Sequence, residues 1–201
     1  MCKTTICSKK KNWRSLLEEK YKFESERLRF RYWEDSDIVP FAKMNTDEEV
    51  MQYFPRLLTY VESEDLVNKI KIHFEKWGFG LWAVEEKSSE KFIGFIGLNY
   101  VDFKSSFTPC VEIGWRLGLE FWNKGYASEG AKICLQSGFS EFGLTSIYSF
   151  TSILNSNSEK VMMKIGMKKI LEFDHPNLEK SNPLCKHVLY HISQGERRHN
   201  T

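Results

Sequence analysis

One stretch of the chain, Val111–Glu129, carries residue types whose spacing suits the binding of an anionic ligand. Its sequence, VEIGWRLGLEFWNKGYASE, is typical of a strand, a short crossing and the start of a helix. Backbone N–H groups at such a helix start favour phosphate, and Gly125 leaves room where a side chain would obstruct a ligand. Asn123 tolerates a left-handed backbone, and Lys124 adds a positive charge. These residues predict a pyrophosphate cradle (Trp122–Ala127), and the alternative is an ordinary helix start marked by a glycine.

The strand predicted from Cys110 to Leu117 has two distinct faces, because successive side chains along a strand point in opposite directions. Glu112, Gly114 and Arg116 fall on one face, and the mainly apolar residues between them fall on the other. A glycine between two charged residues within a strand favours a bulge or the close approach of another backbone. A charged strand face therefore lies directly before the cradle in the sequence.

The rest of the chain predicts the elements that must hold this stretch in place. Alternating apolar and polar residues predict strands at Arg27–Tyr32, Leu81–Glu86, Phe92–Val101, Cys110–Leu117, Ser146–Ile153, Met167–Phe173 and Cys185–Ile192. Apolar spacings of three and four residues predict helices at Ile38–Met44, Asp47–Tyr53, from a Thr59–Glu62 capping box to Trp77, from Gly125 to Phe142, and at Asn155–Ile165. This order is typical of one α+β domain with a central sheet.

Composition and charge place the chain among ordinary globular proteins. Its 201 residues include 29 lysines and arginines against 27 aspartates and glutamates, for a net charge of +2. That balance does not favour nucleic acid, and no apolar run approaches the roughly 20 residues that cross a bilayer. The five cysteines are scattered without a CxxC pair, so neither a disulfide framework nor a zinc site is predicted. We expect a cytoplasmic protein with no nucleic-acid, membrane or metal partner.

Both ends of the chain are predicted to lie outside the domain. Residues 1–24 are assigned to an N-terminal extension, in which Asn12–Phe23 has the apolar spacing of a possible amphipathic helix. The domain is assigned to residues 25–193. Residues 194–201 form a C-terminal tail that we expect to fray.

Val111–Glu129 resembles motif A of the GNAT superfamily of acyl-CoA N-acyltransferases, and more narrowly the version found in the RimJ/RimL-like branch. The other pieces that resemble the family, in the same order and spacing, are Ser25–Leu28, Phe92–Gly97, Asn155 with Ser158, Lys164–Met167 and His187–Tyr190. Asn123 and Leu119 depart from the glycine and proline usual in the branch, whereas Gly125 and Ala127 are retained. The resemblance implies a mixed, mostly antiparallel sheet of six to seven strands flanked by helices, splayed between the fourth and fifth strands.

The resemblance also implies a set of residues that bind acetyl-CoA, the co-substrate. These are Trp115, Arg116, Leu117, Trp122, Asn123, Lys124, Gly125, Tyr126, Ala127, Ser128, Asn155 and Ser158. Asn155 would hydrogen-bond the pantetheine arm, or cap the helix that it begins, and both roles can hold together. A backbone N–H within Trp115–Leu117, freed by a bulge in the strand, would stabilise the oxyanion of the tetrahedral intermediate.

Two residues are predicted to move protons during catalysis. A primary amine is mostly protonated at neutral pH, so a base must take its proton, and Glu112 is the candidate. Alternatively, Glu112 is a solvated or salt-bridged strand residue. Ser158 matches the family position that returns a proton to the CoA thiolate, or it is a first-turn serine that satisfies backbone groups.

The predicted function is therefore an acetyl-CoA-dependent N-acetyltransferase that acts by direct attack in a ternary complex. Its acceptor would be a primary amine, either a protein N-terminus or a small molecule, and the enzyme would be a monomer or a homodimer. The alternative is a catalytically inactive CoA-binding module that acts through a partner or as a sensor.

Overall fold

The strands of the computed structural model, which describes residues 20–197, form a single eight-stranded sheet. They are β1 (Phe23–Glu24), β2 (Leu28–Arg31), β3 (Leu81–Glu86), β4 (Lys91–Val101), β5 (Cys110–Leu117), β6 (Ser146–Ser152), β7 (Lys168–Asp174) and β8 (Lys186–Ser193). Their spatial order is β1-β2-β3-β4-β5-β6-β8-β7. All neighbouring pairs are antiparallel except β5 and β6, which are parallel.

Helices on the two faces of the sheet complete the mixed α+β fold. They are α1 (Ile38–Asn45), α2 (Glu48–Met51), α3 (Tyr60–Trp77), α4 (Tyr126–Ser140), α5 (Ser156–Lys164) and α6 (Gln194–Arg197), with 3₁₀ turns at Asp35–Asp37 and Leu119–Phe121. The predicted capping box of α3 is confirmed, because the Thr59 and Glu62 side chains each accept a hydrogen bond from the other residue's backbone N–H. Gly78 ends that helix in a left-handed conformation with φ of 76°.

The splay predicted at the centre of the sheet is confirmed. β5 pairs with β4 along its whole length, from Cys110 opposite Val101 to Leu117 opposite Gly94. With β6 it makes a single pairing, between Glu112 and Tyr148, after which the two strands diverge. Because these two strands run in parallel, the sheet opens as a wedge towards their carboxyl ends.

The prediction of a bulge within β5 is wrong where this strand pairs with β4, because the pairing runs without a shift of register. Gly114 does not accommodate another backbone either, because a Cβ built there would have no atom within 4 Å. The glycine instead leaves open space on the charged face of the strand. Free backbone groups on β5 come from the departure of β6 and not from a bulge.

The apolar stripe predicted on α4 fixes this helix against the sheet. Ala131, Cys134 and Leu135 are at most 2% exposed and belong to the main hydrophobic core, together with Ile96 and Ile113 of the neighbouring strands. Burial of such side chains contributes about 25 cal/mol per Å² of apolar surface. The N-terminus of α4 therefore has a fixed position relative to β5.

Several predicted element bounds need correction. The possible helix Asn12–Phe23 lies mostly outside the described residues, and its last residue belongs to β1, because Phe23 pairs with Phe30 of β2. β1 is therefore the strand that the predicted sheet of six to seven strands did not include. The helix predicted at Asp47–Tyr53 is shorter, since Asp47 caps it and it ends at Met51. The start of the predicted tail forms α6.

A buried arginine, Arg31, shows how this fold accommodates a cation in its interior. Its side chain is 5% exposed and its guanidinium donates to both carboxylate oxygens of Asp37, at 2.6 and 2.8 Å. It also donates to the buried carboxylate of Glu85. Two carboxylates thus compensate the loss of hydration of one guanidinium.

No helix within residues 20–197 is long and apolar enough to cross a bilayer. In the same part of the chain, no three or more histidine, cysteine, aspartate or glutamate side chains are grouped as they would be around a metal ion. The described cysteines Cys110, Cys134 and Cys185 are buried and unpaired with one another.

Candidate active site

A cavity of about 730 Å³ opens where β5 and β6 diverge. Its walls come from both strands, from the N-termini of α4 and α5, and from the loop that follows α2. Of the predicted site residues, those that line the cavity are Glu112, Trp115, Arg116, Leu117, Trp122, Asn123, Gly125, Tyr126, Ala127, Ser128, Asn155 and Ser158. Residues separated by more than 40 positions in sequence therefore meet in one space.

Lys124 is the exception among the predicted site residues, because it does not line the cavity. Its ammonium group lies 5.4 Å from the centre of the Phe121 ring. Its carbonyl oxygen accepts a hydrogen bond from Nη1 of Arg27 at 3.0 Å. The positive charge predicted for the cradle is therefore not directed into the cavity by this side chain.

The turn before α4 has the geometry of an anion-binding nest. Asn123 and Gly125 both adopt left-handed conformations, with φ of 59° and 82°. From Asn123 to Ser128, the backbone N–H groups have no hydrogen-bond acceptor within the described chain. The first hydrogen bond of the helix is donated by the N–H of Glu129 to the carbonyl of Gly125. Alternating backbone conformations and a helix N-terminus direct such N–H groups towards one point. The predicted cradle thus has free donors facing a cavity.

An ion pair that the sequence analysis missed supports this turn from outside. Arg27 donates through Nε to Glu129 at 2.7 Å, and its backbone N–H donates to the same carboxylate at 2.8 Å. The guanidinium also lies 4.5 Å from the centre of the Tyr126 ring. Because 102 residues separate Arg27 from Glu129, no local pattern could have revealed the pair. It ties β2 to the first turn of α4 and so fixes the direction of the free N–H groups.

The Trp122 side chain connects the same turn to β5 by a hydrogen bond. Its indole N–H donates to the carbonyl of Leu117 at 2.8 Å. Four residues earlier on the strand, the Ser149 hydroxyl of β6 donates to the carbonyl of Ile113 at 2.9 Å, on the same edge. Since every second residue of a strand presents its N–H and C=O to the same edge, those of Trp115 lie between these two contacts. β6 offers them no strand partner, so they face the gap.

Glu112 lies at the point where β5 and β6 separate. It pairs with Asn99 of β4 in the register of the sheet, and its side chain has no hydrogen-bond or ion-pair partner among the described residues. The surrounding protein removes much of its hydration, which raises the pKa of its carboxyl group to about 8. A carboxyl group that loses its proton near pH 8 and borders a cavity suits a general base.

Replacement of Glu112 by glutamine is expected to stabilise the folded chain, increasingly so as the pH rises. The carboxyl group ionises at about 4.5 when unfolded and at about 8 when folded. Between these values the unfolded chain binds fewer protons, so the stability of the wild type falls with pH, whereas glutamine does not titrate. At pH 8 we expect an advantage on the order of 1–3 kcal/mol, or roughly 2–10 °C in Tm. Thermal unfolding from pH 4 to pH 8.5 measures it, and a pH-independent difference would contradict the raised pKa.

The start of α5 places Asn155 and Ser158 at the opposite wall of the gap. The Asn155 side-chain oxygen accepts from the Ser158 backbone N–H at 3.1 Å, so the predicted helix cap is present. Its amide nitrogen donates to Thr151 at 3.1 Å. The hydroxyl of Ser158 has no hydrogen-bond partner within the described chain and borders the cavity. This serine is therefore free to act on a ligand.

Other residues that line the cavity were not among the predicted site residues. They include Tyr53, Phe54, Pro55, Phe150, His175 and His187. Two aromatic residues directly before a proline, Tyr53 and Phe54, were the available sequence signal for the first group. The second group comes together only when β6 and β8 pair, which no local pattern predicts.

Comparisons with known proteins agree on one family. The family profile described as "Acetyltransferase (GNAT) domain" matches residues 27–168. The chain is 30% identical over 164 residues to the uncharacterized protein YkkB of Bacillus subtilis, covering 80% of this chain and 94% of that protein. It is 33% identical over 147 residues to the uncharacterized N-acetyltransferase YnaD of the same organism, covering 72% and 81%. A crystal structure of a GNAT-family acetyltransferase from Bacillus anthracis superposes with a TM-score of 0.72, at 29% identity, over 86% and 98% of the two chains.

Proposed function

Since the chain belongs to the GNAT family of acyl-CoA N-acyltransferases, we propose that it transfers an acetyl group from acetyl-CoA to a primary amine. The observation that supports this donor is the run of free backbone N–H groups from Asn123 to Ser128 at the edge of a cavity. Such a nest suits a pyrophosphate, which needs several donors at one point. Acetyl-CoA would supply the acetyl group as a thioester at the other end of its pantetheine arm.

The gap between β5 and β6 is the proposed path of the pantetheine arm. On one side, the unpaired backbone groups of Trp115 can bond an amide of the arm or the thioester carbonyl. On the other, Asn155 retains one amide hydrogen beyond its bond to Thr151. Positioning of this kind is a large part of catalysis, because it converts a bimolecular encounter into a reaction within one complex.

Glu112 and Ser158 are the proposed proton carriers. Glu112 takes a proton from the amine, whose nitrogen then forms a bond with the acetyl carbon. The N–H of Trp115 donates to the oxyanion while the intermediate lasts. As the carbon–sulfur bond breaks, the thiolate takes the hydroxyl proton of Ser158, and the second proton that the amine nitrogen loses returns to this oxygen through solvent. The products are the amide and free CoA thiol.

The RimJ/RimL-like branch remains the proposed assignment within the family. It rests on the form of Val111–Glu129, in which a tryptophan opens the turn and Gly-Tyr-Ala begins the helix. The branch implies an acceptor that is a protein N-terminus or a small amine. We further propose a cytoplasmic location and action as a monomer or homodimer.

The donor is tested by thermal unfolding with acetyl-CoA, and turnover by thiol release with a panel of amines and peptide N-termini. We expect acetyl-CoA to raise Tm by several degrees at concentrations well above its Kd, because binding stabilises only the folded state. Absence of stabilisation by any acyl-CoA would remove the proposal. Stabilisation without thiol release would support the inactive binding module. The same assay on Ser158→Ala tests the proton donor, and unchanged turnover would exclude it.

A further inference from the structure

A second buried arginine, Arg116, lies at the wall of the cavity without any carboxylate partner. Its residue is 8% exposed, and its Nη1 donates to the side-chain oxygen of Asn45 at 2.6 Å. Its Nε is buried and has no hydrogen-bond partner, and no acidic group lies within salt-bridge distance among the described residues. Burial lowers the pKa of the guanidinium to about 10, so it stays charged at neutral pH.

The contrast with Arg31 shows that this arrangement is unusual within the same fold. Arg31 is equally buried, but Asp37 and Glu85 compensate its charge. Arg116 has only a neutral amide and aromatic rings around it, with its guanidinium carbon 4.0 Å from the centre of the Phe54 ring. An uncompensated buried cation destabilises the folded chain, so a group that supplies the missing negative charge would bind strongly.

The position of Arg116 points to the acceptor side of the cavity. It lies on the same face of β5 as Glu112, with Gly114 and its open space between them. Its partners come from the end of α1 and the loop after α2, whereas the cradle is formed by the first turn of α4. A ligand group near Arg116 is therefore close to the strand face that carries the proposed base. This placement favours a role for Arg116 on the acceptor side in place of the acetyl-CoA contact that the resemblance implied.

The guanidinium has the geometry for a carboxylate. It is planar and presents donors in pairs that match the two oxygens of a carboxylate, and one of its two outer nitrogens is already fixed by Asn45. The Phe54 ring, with its centre 4.0 Å from the guanidinium carbon, packs against this group. Among the residues that the structure describes at this site, none provides an acceptor for Nε.

We propose that the acceptor is an amine that also carries a carboxylate, and that Arg116 binds this carboxylate while the amine lies near Glu112. This inference rests on the proposed function, since it specifies the second substrate of the same site. The proposal places the acceptor among amino acids and their derivatives. It disfavours simple polyamines, because their second ammonium group would lie near the positively charged guanidinium of Arg116.

The test compares Arg116→Met with the wild type on amino acids and on the corresponding amino-acid amides. The amide keeps the α-amine and lacks the carboxylate. We expect the ratio of kcat/KM for acid over amide to fall at least tenfold in Arg116→Met, with the KM for acetyl-CoA unchanged within a factor of two. Because the ratio is compared between enzymes, the different pKa values of the two amines cancel. Arg56→Met, an exposed arginine paired with Glu62 beside the same loop, is the matched control and should keep the wild-type ratio.

A binding measurement separates this inference from the proposed function. With CoA present, an amino acid should raise the Tm of the wild type and not of Arg116→Met, whether or not turnover occurs. Equal losses for acid and amide, or acetylation of the amides alone, would overturn the carboxylate anchor and leave the transferase intact. Preference for an aminoalkyl phosphate over every amino acid would also overturn it, since the anion would then be a phosphate. Failure of acetyl-CoA to bind would instead overturn the proposed function.

Discussion

Glu112→Gln is expected to lower kcat about 100-fold, while the KM for acetyl-CoA changes by less than a factor of two. A positioned general base contributes about 10²–10⁴ to the rate, and the amide of glutamine cannot take a proton from the amine. The side chain is on the cavity face of β5, whereas the donor nest lies at the first turn of α4. The loss should therefore fall on the chemical step and not on donor binding.

The pH profile of the same variant identifies the base. In the wild type, the fraction of ionised Glu112 rises roughly tenfold between pH 7 and pH 9, because its pKa is about 8. The ratio of wild-type to variant kcat/KM for the acceptor, which reports the free enzyme, should rise by the same factor, while the ionisation of the amine affects both enzymes equally. Glu172→Gln, at an exposed position on β7 outside the cavity, is the matched control and should show wild-type rates. A constant ratio across this range would assign the proton transfer to another group.

The loss of activity should accompany a gain in stability. Above pH 7 the glutamine variant is expected to unfold at a higher temperature than the wild type, for the linkage reason already given. A misfolded variant would lose both properties, so the opposite signs distinguish a missing base from a damaged fold. Residues that serve a function at an active site commonly lower the stability of the folded protein.

The fold followed closely from the sequence because its signals were local. The Thr59–Glu62 capping box and the apolar stripe of α4 each lie within one continuous segment of the chain, and the structure has both. The strand Phe23–Glu24 was not predicted, because two residues are too few to show the alternation of apolar and polar side chains that indicates a strand. It exists only through its pairing with β2.

The candidate site was predicted where the chain is continuous and missed where distant segments meet. Asn123 adopts the left-handed conformation that its residue type suggested. The support of that turn by Arg27 joins residues about 100 positions apart, so it depends on tertiary structure alone. The same is true of Arg116, whose significance lies in the absence of a nearby carboxylate. A sequence shows that a charge is present, whereas only the packed structure shows that nothing compensates it.

Glu112 and Arg116 together describe what the cavity requires of its ligand. Glu112 is half-buried and Arg116 is buried, each lacks a partner of opposite charge among the described residues, and they occupy the same face of one strand. An amine that carries a carboxylate places a cation beside the first and an anion beside the second. Binding of such an acceptor would also lower the pKa of Glu112, because a nearby cation favours its charged form. The substrate would thereby activate the base that deprotonates it.

Gly125→Val is expected to weaken acetyl-CoA binding about 30-fold, which corresponds to about 2 kcal/mol. Gly125 has φ of 82°, and a β-branched residue disfavours that conformation by roughly 1–2 kcal/mol. Relief of this strain requires the turn to rotate, which redirects the N–H groups that would hold the pyrophosphate. Isothermal titration with acetyl-CoA measures the affinity, and thermal unfolding reports the cost to the fold.

Gly143→Val separates strain from binding. Gly143 has φ of 65° and open surroundings, but it lies in the loop between α4 and β6 and does not line the cavity. The same strain should therefore lower Tm by a similar amount in both variants and leave the affinity for acetyl-CoA unchanged only in Gly143→Val. If both variants bound acetyl-CoA as the wild type does, the turn at Gly125 would not be the pyrophosphate site. If both lost affinity equally, the loss would reflect general destabilisation, and the nest would have no special role in binding the donor.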